Sequence, residues 1–538
     1  MRRRTVCILA ILAISLAALA GLLFFRGPGS GSGRLSRRMT DEASFDRLTE
    51  GRAEDPDLVS EFLCNGVVLP GGDGAFYYSM REGDTMDPVV EVRGREALTL
   101  TFARRSLDAQ TLRGGEGLPF IACSKTAYCT GVLYLTSLPV MSITVTEPDA
   151  AGSYEIYDRI DRDAKMLLYD NRAGVPDTAR INSSETTIRI RGNTSAVLPK
   201  QSYRLSLFTV STGLHRRHNN LSLLGMRADE DWILYSGGTD SEHIRNALSN
   251  NLWFQSCAAN NFLGVKPGVE CRFVELVMNG RYMGLYTLMY PLDKKAVSLP
   301  DDGFYYRGAS YAETTAEMLS RAKDERIVGG WELRYPASTA GRNCWECLRD
   351  YFANIYTHEE DADLNWYWAR LDRNNVIDLH LFLTLLNGRD NYYKNNNVLV
   401  YPVASTYYDL LAPWDLDLTW GHDYSADNDW RIATELTPPD QYYNPWSLPG
   451  SRMAALSPDF RAMMLARWHE LRQGEWSDAA LSALFDSYEQ QVFGSGAMAR
   501  DQARWPDAPH ARDLSELRDW TGARLVYLDG YFEEVLGQ

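Results

Sequence analysis

Basic charge is what this sequence is short of: 55 lysines and arginines face 71 aspartates and glutamates, leaving a net charge of -16. Nucleic-acid binding rests on a basic footprint, and no Lys/Arg-rich face beyond short clusters is present, so that class of function is excluded. Histidine is scarce as well, eight in 538 residues, and His243, His380 and His422 are too scattered to read as a ligand set. One Cys-x-x-Cys occurs, Cys344 to Cys347, with no second pair and no His-x-x-x-His, which leaves a zinc site without its other half. No internal repeat or long low-complexity segment is present, so solenoid and fibrous architectures are set aside. What remains is a globular composition, 45% apolar and 23% charged, in a chain long enough for two or three domains.

One long apolar run is there. Residues 6–25 carry no charge and follow Arg2, Arg3 and Arg4. A run of that length spans the hydrocarbon core as a helix, whereas the core of a cleaved signal is usually shorter. Residues 1–26 are therefore expected to be a single-pass transmembrane anchor, or a signal cleaved near Ala18-Leu19-Ala20. Residues 27–55, rich in Gly and Ser at their start, read as a flexible linker. On that expectation the rest of the chain lies outside the cytoplasm at the cell membrane, or is secreted if the signal is removed. Three close cysteine pairs, Cys123 with Cys129, Cys257 with Cys271 and Cys344 with Cys347, are disulfide candidates in that setting.

Residues 56–148 alternate in short β-branched runs between Gly, Asp and Ser clusters, which predicts a small β-sandwich. Strand patterns continue over residues 149–295 and enclose one helix, with Ile244, Leu248, Leu252 and Trp253 at helical spacing. Asn279-Gly280 between two alternating runs predicts a β-hairpin. Between two further strand-like segments lies Arg191-Gly192-Asn193-Thr194-Ser195, neither a Walker sequence nor a GxGxxG loop. Small polar residues there, with Lys200 or Arg204 nearby, suit a phosphate cradle, but from these residues alone a β-hairpin with a polar turn is the preferred reading. Residues 296–347 read as an insertion or surface subdomain, and residues 348–538 are mainly amphipathic helix.

The most informative stretch is residues 387–421. Asp390 is followed five positions later by Asn395, then by two strand-like runs, then by Asp415 and Asp417. Acid, amide, hairpin, acid is the order in which a kinase-type site presents its base and its metal ligands. Asp423, Asp427 and Asp429 beyond it read as a solvated acidic loop.

These segments, together with Pro199-Lys200, Arg245-Asn246, the Asn279-to-Tyr286 hairpin and Pro413-Trp414-Asp415-Leu416-Asp417, stand in the order found in the spore coat protein H (CotH) kinase family, which residues 138–535 resemble. The resemblance implies an α+β, two-lobed protein-kinase-like domain over residues 149–538, with a small lobe near 149–295 and a larger helical lobe near 348–538. It implies ATP with Mg2+ or Mn2+ as cofactors and protein Ser/Thr hydroxyls as acceptors. By position Asp390 would be the catalytic acid, and Asn395, Asp415 and Asp417 the metal ligands. Lys200 or Arg204, with Asn193 and Ser195, would approach the nucleotide phosphates. Two positions depart from the pattern: Tyr290 stands where an acid is usual at the end of the hairpin, and the acidic partner of the phosphate-binding lysine is not evident, Glu242 being the nearest candidate. Those departures keep a second expectation open, a non-catalytic coat or glycan-binding protein on a kinase-like scaffold.

Overall fold

The computed structural model describes residues 32–537, apart from 106, 193, 211–215, 340–342, 356–362, 393, 423–431 and 435–448. The proposed anchor at 1–26, Asn193 and the acidic loop at Asp423, Asp427 and Asp429 lie outside the described residues. Among the described residues no helix is long and apolar enough to cross a membrane.

The first part of the chain forms two sheets. One has the order Gly33–Arg34, Val89–Gly94, Val59–Cys64, Val67–Val68; the other is built around Thr99–Ala103, Leu118–Cys123, Ala127–Thr136 and Ala75–Ser79. Alternation supplies their common core: Val90 and Val92 point inward from one sheet, Leu100, Phe102 and Phe120 from the other. Two boundaries differ from expectation. The linker is already structured from Gly33, because the wholly buried Leu35 ties it to this core. And Val140–Val145, read as the last strand of the sandwich, leaves it to join the next sheet.

That strand, β1, is followed by β2 (Arg162–Tyr169), β3 (Ile181–Arg191), β4 (Ser202–Val210), β5 (Arg216–His218), β6 (Asp231–Tyr235), β7 (Cys271–Met278) and β8 (Arg281–Met289). The order β3-β2-β1-β7-β8-β6-β4 closes on itself, because β3 also pairs with β4; β5 adds to the outside of β4. Asn279 and Gly280 both have positive φ, 49° and 80°, the conformation a two-residue turn needs between twisted strands, so the expected hairpin is present. Helix α1 (Arg245–Ser256) follows β6 and is buried over most of its surface, with all four of its expected apolar positions inside.

Residues 296–347 are not a surface insertion. They supply β9 (Phe304–Gly308), β10 (Ile327–Val328) and β11 (Trp331–Tyr335) to a second sheet, completed by β12 (Asn396–Val403) and β13 (Thr406–Pro413) in the order β10-β11-β9-β12-β13. Tyr305, Tyr306 and Leu333 are buried there, a pattern hidden by the charged residues that flank it. The remainder is helical: α2 (Arg373–Leu386), α3 (Pro458–Gln473), α4 (Asp478–Val492), α5 (Ala497–Arg504) and α6 (Ser515–Leu536).

The disulfide expectation is corrected: Cys64, Cys123, Cys129, Cys257, Cys271 and Cys347 carry free thiols. Cys123 lies opposite Tyr128 and Cys129 opposite Ala122, one step out of register. Their side chains therefore leave the sheet on opposite faces and cannot meet.

Candidate functional site

The site begins where α2 ends. Asn387 takes the left-handed conformation at φ 51°, and the Gly388 N–H closes on Leu383 O at 3.1 Å, the helix stop that turns the chain into the short helical turn Arg389–Tyr392. Asp390 sits on that turn, buried, and its carboxylate is fully engaged. Asn395 Nδ2 donates to one oxygen at 3.3 Å and Lys394 Nζ pairs with the same oxygen at 2.7 Å; the hydroxyl of Tyr311 donates to the other. Tyr311 comes from the chain just after β9 and is half exposed.

Two bonds hold the Asp390 turn beside the segment that follows β13. Asn391 Nδ2 donates to Trp414 O at 2.7 Å, and the Trp414 N–H to Asn395 O at 3.1 Å. Asp415 then adopts φ 59°, a region costly for a residue with a Cβ and a frequent mark of functional sites. Its neighbour Leu416 donates its N–H to Asn246 Oδ1 at 3.1 Å, so α1 fixes the turn from the other side. Asp417 accepts from Tyr235 Oη of β6 at 3.1 Å. Three stretches far apart in sequence thus hold the two late carboxylates in place.

Electrostatics tie these groups together. Burial pushes the Asp415 carboxyl above its ordinary range, Arg191 and Lys394 oppose that, and Asp390 adds to it. Asp417 is raised well above the carboxylate range by burial first, then by Asp415 and Asp390. The charge of Asp390 is therefore felt by both late carboxylates, and that of Asp415 by Asp417. Beside them opens a small cleft lined by Arg191, Arg204, Arg307, Arg334, Trp232, Tyr305, Trp414, Pro291 and Leu292. Arg204 is paired with Asp231 at 2.9 Å, and Arg307 and Arg334 with Glu332 at 2.9 and 3.1 Å. Arg191 forms no ion pair among the described residues; burial lowers its pKa and Asp415 is the largest opposing influence.

Of the residues expected to form the site, the structure brings Asp390, Asn395, Asp415 and Asp417 together, and it sets Arg204 in the cleft wall. Ser195 is half-buried in the turn Thr194–Val197, folded over Gly192 so closely that a Cβ at Gly192 would collide with its hydroxyl. Lys200 is elsewhere. Its ammonium is buried against Asp501 Oδ1 at 2.6 Å, 3.2 Å from His243 Nδ1 and over the Tyr286 ring at 5.2 Å. Glu242 is not its partner either; it pairs with Arg245, as Asp240 does. Sequence reasoning named the Arg191 motif without giving that arginine a role, and it passed over Tyr235, Tyr311 and Lys394 altogether. A basic residue closing a strand at the loop was the one signal available for Arg191.

The Lys200 knot also includes His510, whose Nε2 lies 2.9 Å from Asp501 Oδ2. His243, Asp501 and His510 offer ligand atoms within 4.8 Å of one another, the one such group among the described residues. The Lys200 charge already neutralises that carboxylate and donates to His243, so the knot is a structural one. It has a pH signature. Burial, then the Lys200 charge, pulls the His243 pKa from 6.5 down to about 4. An unfolded histidine takes up a proton near pH 6.5 and the folded one refuses it down to about 4, so its stabilisation is complete above pH 6.5 and fades as pH falls. The loss across that window is expected to reach about 3 kcal/mol. Melting temperature measured against pH checks this, since His243→Gln should flatten the curve between those limits.

A mixed α+β chain in which acid, amide, hairpin and paired acids converge beside an arginine-lined cleft is of the kinase-like class. The family model described as CotH kinase protein matches residues 188–528, and the chain belongs to that family. Comparison with curated proteins finds no match.

Proposed function

We propose that this chain is a membrane-tethered, extracytoplasmic atypical kinase that moves the γ-phosphate of ATP to Ser or Thr hydroxyls of surface or coat proteins. In this reading the strand ring with α1 is the small lobe of a two-lobed domain, the second sheet with α2 to α6 is the larger lobe, and residues 33–136 are an appended β-sandwich. The convergence of Asp390, Asn395, Asp415 and Asp417 beside the arginine-lined cleft carries the proposal.

The donor set fits a divalent cation: two carboxylates raised above their ordinary range by burial first and by neighbouring acids second, with one amide, are hard oxygen ligands of the kind Mg2+ or Mn2+ prefers. Asn395, Asp415 and Asp417 would hold it, and when bound it would offset charge on the phosphate oxygens. Asp390 would orient the acceptor hydroxyl and take its proton, with Lys394 paired to it at 2.7 Å. Arg191 is the cation we assign to the phosphates, in place of Lys200, because it alone of the four cleft arginines has no acidic ion-pair partner among the described residues. Trp232, Pro291 and Leu292 offer the apolar wall for the base.

Addition of ATP with Mg2+ should raise the melting temperature, by an amount equivalent to about 2.7 kcal/mol at a hundredfold excess over Kd. Arg191→Ala should weaken that binding by about 1.5–3 kcal/mol, the worth of a hydrogen bond to a charged group. Absence of any shift at saturating ATP would favour the scaffold reading. That second reading draws on Tyr290, which is buried against Trp232 and Arg227 where the family usually has an acid.

A further inference from the structure

Tyr311 occupies the place that an acceptor hydroxyl would take. Its Oη donates to Asp390 Oδ1, the oxygen left free by Asn395 and Lys394, which both engage Oδ2. The contact is built into the fold. Tyr311 lies three residues past β9, which pairs with β12, and the Gly308 carbonyl that ends β9 accepts from the Asn395 N–H at 2.7 Å. The following residues are pinned too: Ala309 and Ser310 both donate their N–H to Gly330 O, at 2.7 and 3.1 Å. Lys394 Nζ stands 5.3 Å from the centre of the Tyr311 ring. Arg307, four positions before Tyr311, lines the cleft assigned to the nucleotide. One short stretch therefore joins the cleft wall to a hydroxyl seated on the catalytic acid.

We propose that Tyr311 is a self-phosphorylation site, modified in cis by the same active site; this rests on the kinase reading given above. In the step, the Tyr311 O–H bond breaks and its proton passes to the Asp390 carboxylate. The phenolic oxygen forms a bond to the γ-phosphorus of the bound nucleoside triphosphate as the bond from that phosphorus to the β–γ bridging oxygen breaks. The nucleoside diphosphate leaves, and an aryl phosphate monoester remains on the chain. The product carries about -1.5 to -2 charges next to the Asp390 carboxylate, so like-charge repulsion drives the ring off the acid while Lys394 offers the phosphate a new partner. Tyr311 thus guards the acceptor position until it has been phosphorylated. Its half-exposed ring has room to leave.

The test uses the full chain with ATP and Mg2+ or Mn2+, with myelin basic protein as external acceptor and peptide mass spectrometry as readout. Phosphate is expected on Tyr311, with a first-order rate constant that stays the same across a dilution series of the protein. It should be absent from the Asp390→Asn chain, and labelling of the external acceptor should show a lag that Tyr311→Phe abolishes. Labelled acceptor with an unmodified Tyr311 peptide overturns the proposal and leaves the kinase reading intact. A Tyr311 labelling rate that climbs with protein concentration overturns the cis assignment. Transfer to no acceptor at all overturns both, and so identifies the kinase reading as the failure.

Discussion

Asp390→Asn is expected to lower phosphoryl transfer by about a thousandfold, within the range a positioned general base contributes, while ATP still raises the melting temperature. The substitution keeps the shape of the side chain and an oxygen for the Tyr311 hydroxyl, but it removes the charge that Lys394 pairs with and the group that receives the acceptor proton. Lost interactions at a largely buried site should cost about 1 kcal/mol, which a thermal melt separates from a loss of catalysis. Nucleotide binding is the internal control, since Arg191 and the cleft wall are untouched. A variant that transfers phosphate at the parental rate would remove Asp390 from the mechanism, and the acid–amide spacing would then be coincidence.

The second large effect is on stability. Lys200→Met is expected to destabilise the chain by about 3–5 kcal/mol, because it leaves a buried carboxylate without its cation. Asp501 shows how much is at stake: burial pushes its carboxyl up, yet the Lys200 charge and the His510 hydrogen bond outweigh this and hold it well below the carboxylate range. The Leu285 N–H, 2.7 Å from the same carboxylate, would lose a charged acceptor only if Asp501 were changed as well. Pairing Lys200→Met with Asp501→Leu should recover part of the loss, since apolar replacement of a whole buried pair is often neutral. Denaturant melts measure the energies. Nucleotide affinity of the Lys200→Met chain should stay within a factor of about two, as for separate sites; a collapse of affinity with little change in stability would return Lys200 to the phosphates.

The contrast between Asp390 and Lys200 shows what the sequence makes legible. The nearness of Asp390, Asn395 and Asp415 was readable because short-range geometry sets most of it: one turn, one hairpin and one tight bend fix their spacing, and α1 and β6 brace that arrangement from afar. The Asn279-Gly280 hairpin was readable for the same reason. Lys200 has a basic side chain near a polar loop, but what it meets is Asp501 on α5, a partner supplied by packing of distant segments. Arg191 depended on which face of β3 looks into the cleft, and no alternation pattern names the neighbour across a gap. Residues 296–347 hid their strands because Tyr305 and Tyr306 are adjacent and both buried, which breaks the period of two. Val140–Val145 was correctly a strand, but pattern alone does not say which sheet a strand enters.

That last strand has a consequence for the order in which the protein can be made. β1 pairs side by side with β2 soon after both emerge, yet its other edge pairs in parallel with β7, Val140 against Glu275. The ring therefore stays open until synthesis has passed Met289, and contacts so distant along the chain are slow to form. Meanwhile the sheets of residues 33–136 can fold on local pairings, and Tyr77 among them waits for Tyr282, on which it stacks at 4.9 Å in the finished protein. A nascent chain halted before β7 would present β1 as a bare edge, ready to pair with another copy, so truncations that end between β6 and β7 should aggregate where the complete chain does not.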